Sequence, residues 1–453
     1  MADQGVTRTL ARWAVGCRLD DIPQEVREQG VRTFVNWLGC AVGGVTHETV
    51  DRALEAVRLF SGPAQATVIG RADRLDALHA ALMNGISSHV LDYDDTHLKT
   101  IIHPAGPVAS AALSIAEMKP VSGADLLAAM IVGVEVECRI GNSVYPDHYD
   151  RGWHITGTAG VFGAAAAVGR LLGLNEQHMT WAFGIAATQS SGLREMFGTM
   201  CKSFHPGRAA QNGAMAAFLA QAGFDSSERG IEAPRGWANV TSTKQDYSEI
   251  TEGLGQFWEA GLNSYKPFAC GIVIHPTIDA CIQLRDEVGD EVNNIESVSL
   301  RTHPLVLELT GKTAPRTGLE GKFSVFHAAA TALLRGDGTP TAFTDEAVND
   351  PAIVQMRGRV TAETDQSIHE DQVEMTVMFR DGRKVTRRIE HAIGSLDRPL
   401  TNEELDRKFI KQTEPVLGQA QTARLLEAAW KFADRSNAAE IARLTVPNGT
   451  TNA

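Results

Sequence analysis

Residues 158–172 read TAGVFGAAAAVGRLL, a stretch of small and apolar residues with a single charged side chain, Arg170. Alanine favours helix, and small side chains let neighbouring helices approach closely. The stretch therefore predicts a helix that packs among other helices. Five further segments combine alanine, glycine and leucine in a similar way: residues 77–91, 107–118, 123–136, 179–187 and 208–222.

Helical patterning extends from these segments towards both ends of the chain. Residues 23–41 place apolar side chains at the spacing of an amphipathic helix, and helical patterning returns over residues 402–444. Between them, residues 294–302 alternate apolar and polar side chains, as a strand with one buried face does. Residues 373–379 and 384–389 flank a turn, which predicts a hairpin.

These patterns predict a mainly α fold with two domains. Both ends of the chain contribute to the large all-helical domain, and the strands belong to a smaller α+β domain. The predicted bounds are residues 1–266 with 395–453 for the large domain and 267–394 for the smaller one.

Composition and charge narrow the function. The chain has 453 residues, of which 43% are hydrophobic and 21% charged, and its formal net charge is -13. An acidic chain does not favour nonspecific binding to nucleic acid or to an anionic membrane, so an anionic substrate would need a local basic pocket. The uncharged run 155–169 is too short to span a bilayer, and residues 1–16 lack the pattern of a secretory signal. We therefore expect a cytoplasmic protein with no nucleic-acid or membrane partner.

Motifs for metals and nucleotides are incomplete, so we expect no cofactor and no metal. The six cysteines are scattered without a C-x-x-C pair. Gly311-Lys312-Thr313 resembles the end of a phosphate-binding loop, but Val306 stands where its first glycine belongs. The sequence also lacks the H-E-x-x-H motif of metalloproteases.

Four polar clusters are the candidate functional sites. The first runs from His89 to Pro107 and contains Asp92, Thr96 and His103. Its density of titratable groups favours a site, although Thr96 or its neighbours could simply cap a helix. The second is Trp153-His154, where the histidine either points into a cleft or satisfies a carbonyl as a structural residue.

The third cluster gathers Lys202, His205 and Arg208 around Pro206, where the sequence predicts a helix to begin. Positive side chains at a helix N-terminus oppose the macrodipole, so the placement favours a bound anion, with a solvated basic face as the alternative. The fourth cluster contains Lys266 and His275 at the predicted domain junction, which suits a cleft but also a plain linker.

At these stretches the chain resembles the MmgE/PrpD family, which includes 2-methylcitrate dehydratase, cis-aconitate decarboxylase and iminodisuccinate epimerase. The resemblance implies a large helical domain, a smaller α+β lid domain, a homodimer and a metal-free active site between the domains. Five motifs carry it in order along nearly the whole chain: DYDDTH (92–97) with HPAGPV (103–108), GWHITGT (152–158), FGTMCKSFHPGRAAQNG (197–213), YKPFACGIVIHP (265–276) and LEGKFSVFH (319–327).

The resemblance also implies which residues line the pocket. Those expected to be catalytic are Asp92, His103, His154 and Lys202. Those expected to bind substrate are Thr96, Arg208, Lys266 and His275, to which the third cluster adds His205. The segment YDDTHLKTII, residues 93–102, differs from the corresponding segments of the decarboxylases and of the 2-methylcitrate dehydratases.

From this we predict a cofactor-independent enzyme that transfers protons on a small di- or tricarboxylate. Fixed cations would hold the charge that develops beside a carboxylate: Lys202, with Arg208 or Lys266. His103 and His154 would act as acid and base, oriented by Asp92 and Thr96. Dehydration leads by family analogy, with decarboxylation and epimerisation on the same site as alternatives. A non-catalytic carboxylate-binding homologue is the alternative of another class.

Overall fold

The computed structural model describes residues 5–448. The predicted helical character of the first 265 residues is confirmed, and residues 158–172 lie in a helix that is buried throughout from Ile155 to Gly169. The helices of this part are α1 (Val6–Gly16), α2 (Gln24–Gly44), α3 (Glu48–Val57), α4 (Ala77–His89), α5 (Ala105–Met118), α6 (Gly123–Asn142), α7 (Asp147–Asp150), α8 (Ile155–Leu171), α9 (Glu176–Thr188), α10 (Cys201–Gln221), α11 (Trp237–Thr241) and α12 (Ser248–Thr251).

Small residues set the spacing between the helices that carry the polar clusters. Gly85 of α4 faces Gly207 of α10, and a methyl group on Gly85 would come within 2.5 Å of the Gly207 Cα. Only hydrogen side chains permit this approach. The contact therefore holds the end of α4 close to the start of α10.

Two short antiparallel ladders accompany these helices. One joins β1 (Ala66–Thr67) to β2 (Arg74–Leu75). The other joins β3 (Asp95–His97) to β4 (Asn263–Tyr265), with Asp95 opposite Tyr265. Through the second ladder the first polar cluster comes to lie beside the fourth, although about 170 residues separate them in the sequence.

The predicted α+β region is built around one four-stranded sheet. Its strands are β5 (Ile295–Thr302), β6 (Val360–Thr364), β7 (Val373–Phe379) and β8 (Lys384–Ile389), in the order β6-β5-β7-β8. The strands β7 and β8 form the predicted hairpin, and β5 confirms the alternating segment. The strand β6, which pairs parallel to β5, was not predicted. The helices of this region are α13 (His275–Val288), α14 (Pro304–Thr310), α15 (Gly318–Gly321), α16 (Val325–Arg335), α17 (Asp345–Asn349) and α18 (Pro351–Arg357).

Three helices complete the chain: α19 (Asn402–Leu417), α20 (Gln419–Trp430) and α21 (Ala439–Leu444). Their buried residues join the apolar core of the first 265 residues, while most buried residues between Phe268 and Ala392 form a second core. This division supports the proposed domain bounds, and the mainly α fold is confirmed. Within residues 5–448, no helix is both long and apolar enough to cross a bilayer.

Candidate active site

The first cluster places Asp92 on a sharp turn between α4 and β3. Asp92 has a φ of 51°, in the left-handed region that a residue with a side chain seldom adopts. Such strain persists only where the surroundings hold it, and it is common at functional sites. The side chain is buried, and the β3–β4 ladder brings Lys266 next to it.

Two further histidines enter the same region from the starts of helices. His103 precedes α5, and its backbone N–H donates to Thr156 Oγ1 of α8. His154 occupies the N-cap position of α8 and is buried. The structure thus brings both imidazoles to one place, with ring centroids 6.4 Å apart.

The third cluster requires a correction. The helix begins at Cys201, five residues before Pro206, so the proline lies inside α10 and the charged residues occupy its first two turns. Lys202 and His205 are buried, whereas Arg208 is exposed and donates to Gln211 Oε1 at 2.6 Å. The side chain of Arg208 therefore points away from the other site residues, and we no longer assign it a substrate contact.

Lys266 and Lys202 both pair with the Asp92 carboxylate. Lys266 Nζ lies 2.6 Å from Asp92 Oδ1, and Lys202 Nζ lies 3.3 Å from the same oxygen. Burial alone would raise the pKa of Asp92, but the two ammonium groups hold it well below its ordinary value. The carboxylate is therefore ionised, and two cations face one anion.

The structure adds His89 and Asp94, which our predicted site did not include. His89 Nδ1 donates to Asp94 Oδ2 at 2.7 Å, so its Nε2 accepts from Lys202 Nζ at 2.9 Å. Burial lowers the pKa of His89 and that of Lys202. The signal was available in the sequence, because both residues lie within three positions of Asp92.

His103 is held in one tautomer. Its Nδ1 lies 2.8 Å from the Asp95 carbonyl oxygen, which can only accept, and 3.3 Å from Thr96 Oγ1. The Nδ1 therefore carries the proton, and Nε2 keeps a lone pair. Burial holds the pKa of His103 well below its ordinary value, so the ring is neutral.

His154 forms a pair with His205, whose Nδ1 lies 2.8 Å from His154 Nδ1. One of the two rings donates and the other accepts, so their tautomers are coupled. Burial lowers the pKa of both: that of His154 falls well below the ordinary value and that of His205 falls to about 4. Both rings are neutral near pH 7.

These groups surround a cavity with about 370 Å³ of free space, within the range of about 300–1,000 Å³ that is usual for small-molecule sites. One wall, which we call the polar wall, consists of Asp92, His103, His154, Lys202 and Lys266. The opposite character belongs to what we call the apolar wall. Its members are Ile101, Phe197, Ile272, Val273, Leu309 and Phe323.

The remaining predicted residues lie behind the cavity or beside it. Thr96 is buried in β3 and contacts His103, as described above, and His205 supports His154. His275 begins α13 with its ring centroid 5.3 Å from that of Phe268, outside the set of described residues that line the cavity. Thr96 and His205 therefore suit a role in positioning the imidazoles.

Three imidazoles of the site could be considered as metal ligands, since nitrogens of His89, His103 and His154 lie within 4.8 Å of one another. The chemistry around them does not suit a cation. The Lys202 ammonium group already donates to His89 and would repel a metal ion at the same place. We therefore keep the prediction that this site works without a metal.

Comparison with known proteins gives two family matches: the MmgE/PrpD N-terminal domain over residues 8–250 and the MmgE/PrpD C-terminal domain over residues 268–432. Three relatives align along most of both chains. A cis-aconitate decarboxylase of Aspergillus terreus is 27% identical over 90% of this chain and 89% of its own length. The human cis-aconitate decarboxylase is 26% identical over 95% and 92%. A 2-methylcitrate dehydratase of Cupriavidus necator is 24% identical over 87% and 88%.

Proposed function

Because the chain belongs to the MmgE/PrpD family, we propose that it is a lyase that acts on a small di- or tricarboxylate in the cavity between the polar and apolar walls. The observation that carries the proposal is the position of Lys202, a buried ammonium group that lines the cavity between two neutral imidazoles. With two lysines against one ionised aspartate, the polar wall has a surplus positive charge. A carboxylate would neutralise it.

Lys202 is the cation best placed to bind substrate. An ammonium group has three N–H donors, and His89 and Asp92 account for two of those of Lys202. All three donors of Lys266 have protein acceptors: the Asp92 carboxylate, the Asp92 carbonyl and the Cys270 carbonyl. We therefore assign the substrate carboxylate to Lys202, while Lys266 fixes Asp92.

The two imidazoles supply proton transfer. His103 offers the Nε2 lone pair of a ring whose orientation is fixed by a carbonyl, which suits a general base. His154 exchanges its tautomer with His205, so it can give or take a proton at Nε2 without acquiring a full charge in a buried site. Lys202, whose pKa is lowered by burial, is a second proton donor next to the substrate.

Decarboxylation of an unsaturated tricarboxylate is the first candidate reaction. The bond between the leaving carboxylate and its carbon breaks, and the electron pair spreads over the neighbouring double bond and carboxylate. The carbon then takes one proton from a side chain, and CO2 leaves. The apolar wall favours the reaction, because a carboxylate held against Ile272, Val273 and Phe323 loses its charge as CO2 forms. The relatives from Aspergillus terreus and human carry the corresponding name.

Dehydration of a 2-methylcitrate-like hydroxy acid is the second candidate, and the fixed base favours it. His103 Nε2 would remove the proton next to a carboxylate, and Lys202 or His154 would protonate the departing hydroxyl group. The relative from Cupriavidus necator carries this name. The proposal further includes a cytoplasmic homodimer, as the family resemblance implies.

A panel of acids tests the proposal. The purified chain is incubated with cis-aconitate, 2-methylcitrate and iminodisuccinate, while CO2 release, alkene absorbance and solvent deuterium uptake are followed. We expect CO2 from cis-aconitate, and alkene without CO2 from 2-methylcitrate would select the second candidate. Deuterium uptake alone would indicate epimerisation. Thermal stabilisation by an acid without any of these signals would instead support a non-catalytic binding protein and overturn the proposal.

A further inference from the structure

Three consecutive backbone carbonyls around Asp92 each accept a hydrogen bond from a buried lysine. Lys322 Nζ donates to the Leu91 carbonyl at 2.7 Å, Lys266 Nζ to the Asp92 carbonyl at 3.2 Å, and Lys408 Nζ to the Tyr93 carbonyl at 2.6 Å. The lysines come from distant parts of the chain. Lys322 follows α15, Lys266 follows β4, and Lys408 lies in α19.

Burying these cations is costly. Lys322 and Lys408 are 3% and 5% exposed, and burial lowers the pKa of each to about 8. Neither has a carboxylate as a hydrogen-bond partner, since Lys322 also donates to the Ala269 carbonyl and Lys408 to Asn36 Oδ1. A buried ammonium group without a paired anion calls for an explanation beyond stability.

The turn that they hold supplies that explanation. Asp92 adopts a left-handed φ of 51°, which costs on the order of 1 kcal/mol or more for a residue other than glycine. This conformation aims its carboxylate at Lys266 and Lys202. A relaxed turn would move the carboxylate and, through Lys202, the group that we assign to substrate binding.

We propose that Lys322 and Lys408 are positioning residues, which hold the carbonyls on either side of Asp92 and so keep its carboxylate between Lys266 and Lys202. Lys322 belongs to the proposed lid domain and Lys408 to the large helical domain. The turn is thereby fixed from both domains, and the Asp92 geometry depends on their being packed together. The catalytic consequence rests on the proposed function, whereas the structural one does not.

Lys322→Met and Lys408→Met test the catalytic consequence, because methionine keeps most of the side-chain length without the charge. We expect kcat to fall about 10- to 100-fold with a smaller change in KM, as for a displaced catalytic group. The matched controls are Lys312→Met and Lys411→Met, which replace exposed lysines of the same regions and should leave kcat unchanged. A rise in KM with unchanged kcat would assign Lys322 to substrate binding and overturn the proposal.

A double-mutant cycle separates positioning from general stability. In an Asp92→Asn background, where the positioned carboxylate is gone, Lys322→Met and Lys408→Met should each lower kcat less than twofold further. A purely structural role would lower kcat by the same factor in both backgrounds, which would contradict the proposal.

Crystal structures of the single variants provide a readout that needs no activity. We expect residue 92 to leave the left-handed region, and the Asp92 Oδ1 to Lys266 Nζ separation to lengthen beyond 2.6 Å. An unchanged turn in both variants would overturn the proposal whatever reaction the chain catalyses. Failure of the acid panel alone would overturn the proposed function and leave this inference standing.

Discussion

The polar and apolar walls of the cavity come from different parts of the chain. Asp92, His103, His154 and Lys202 belong to the region of the large helical core, where close helix packing brings their segments together. The apolar wall draws Ile272, Val273, Leu309 and Phe323 from the proposed lid domain. The titratable groups therefore sit on the more rigid framework, while the lid excludes water and lowers the local dielectric constant. Electrostatic interactions across the cavity are stronger for that reason.

The largest effect is expected from removing the cation of the polar wall. Lys202→Met should lower kcat about 10³-fold, because the substrate carboxylate and the developing negative charge lose their ammonium partner. Asp92 keeps Lys266, so the fold should survive. Turnover of cis-aconitate is the measurement, with thermal unfolding as the control for folding. Near-normal turnover in a folded variant would place the substrate elsewhere.

The two walls also differ in how far the sequence predicted them. Five predicted residues line the cavity, because charged side chains between small-residue helices are conspicuous in a sequence. Arg208 was included with them because the start of α10 was placed at Pro206, and five residues of error turned an exposed position into a site position. Helix starts are hard to locate when a proline lies inside the first turns.

The apolar wall and the supporting contacts could not be read in this way. Val273 and Phe323 look like any core residue, and only the packing of the two regions makes them line a site. The same holds for Lys408, which reaches the Tyr93 carbonyl across 315 residues of sequence. Strand β6 was missed because its burial pattern does not alternate regularly.

A polar atom in the apolar wall tests the difference between the walls directly. Val273→Thr keeps the side-chain shape but adds a hydroxyl group next to the leaving carboxylate. We expect kcat for decarboxylation to fall about tenfold, which is about 1.4 kcal/mol, because a hydrogen bond would stabilise the charged ground state. The control is Val240→Thr at a position that is 65% exposed. If kcat were unchanged, the apolar wall would serve only to exclude solvent.

The polar wall should also titrate, unlike the apolar wall. His205 has a pKa of about 4 in the folded protein and an ordinary value of 6.5 in the unfolded chain. Below about pH 6.5 the unfolded chain binds a proton that the folded state does not, so stability falls as the pH drops towards 4. Between pH 7.5 and 5.5 this imidazole should cost about 1 kcal/mol of the free energy of unfolding.

Denaturant unfolding of the wild type and of His205→Asn at both pH values measures this contribution, since asparagine does not titrate. Asp95, whose pKa burial raises to about 7, changes stability in the opposite direction over part of this range but does so in both proteins. The loss of stability on acidification should therefore be smaller in the variant by about 1 kcal/mol. Equal losses would mean that His205 is protonated in the folded state near pH 6.

The smallest effect is expected at Arg208, which belongs to neither wall. It lies two turns along α10 from Lys202, but its exposed side chain contacts Gln211. Arg208→Ala should change kcat/KM less than about twofold and the free energy of unfolding by less than about 0.5 kcal/mol, as is usual for a surface position. Lys202 and Arg208 thus form a sharp pair on one helix. A tenfold loss of kcat/KM in Arg208→Ala would show that the guanidinium group reaches the substrate during turnover, and the polar wall would then extend to the exposed face of α10.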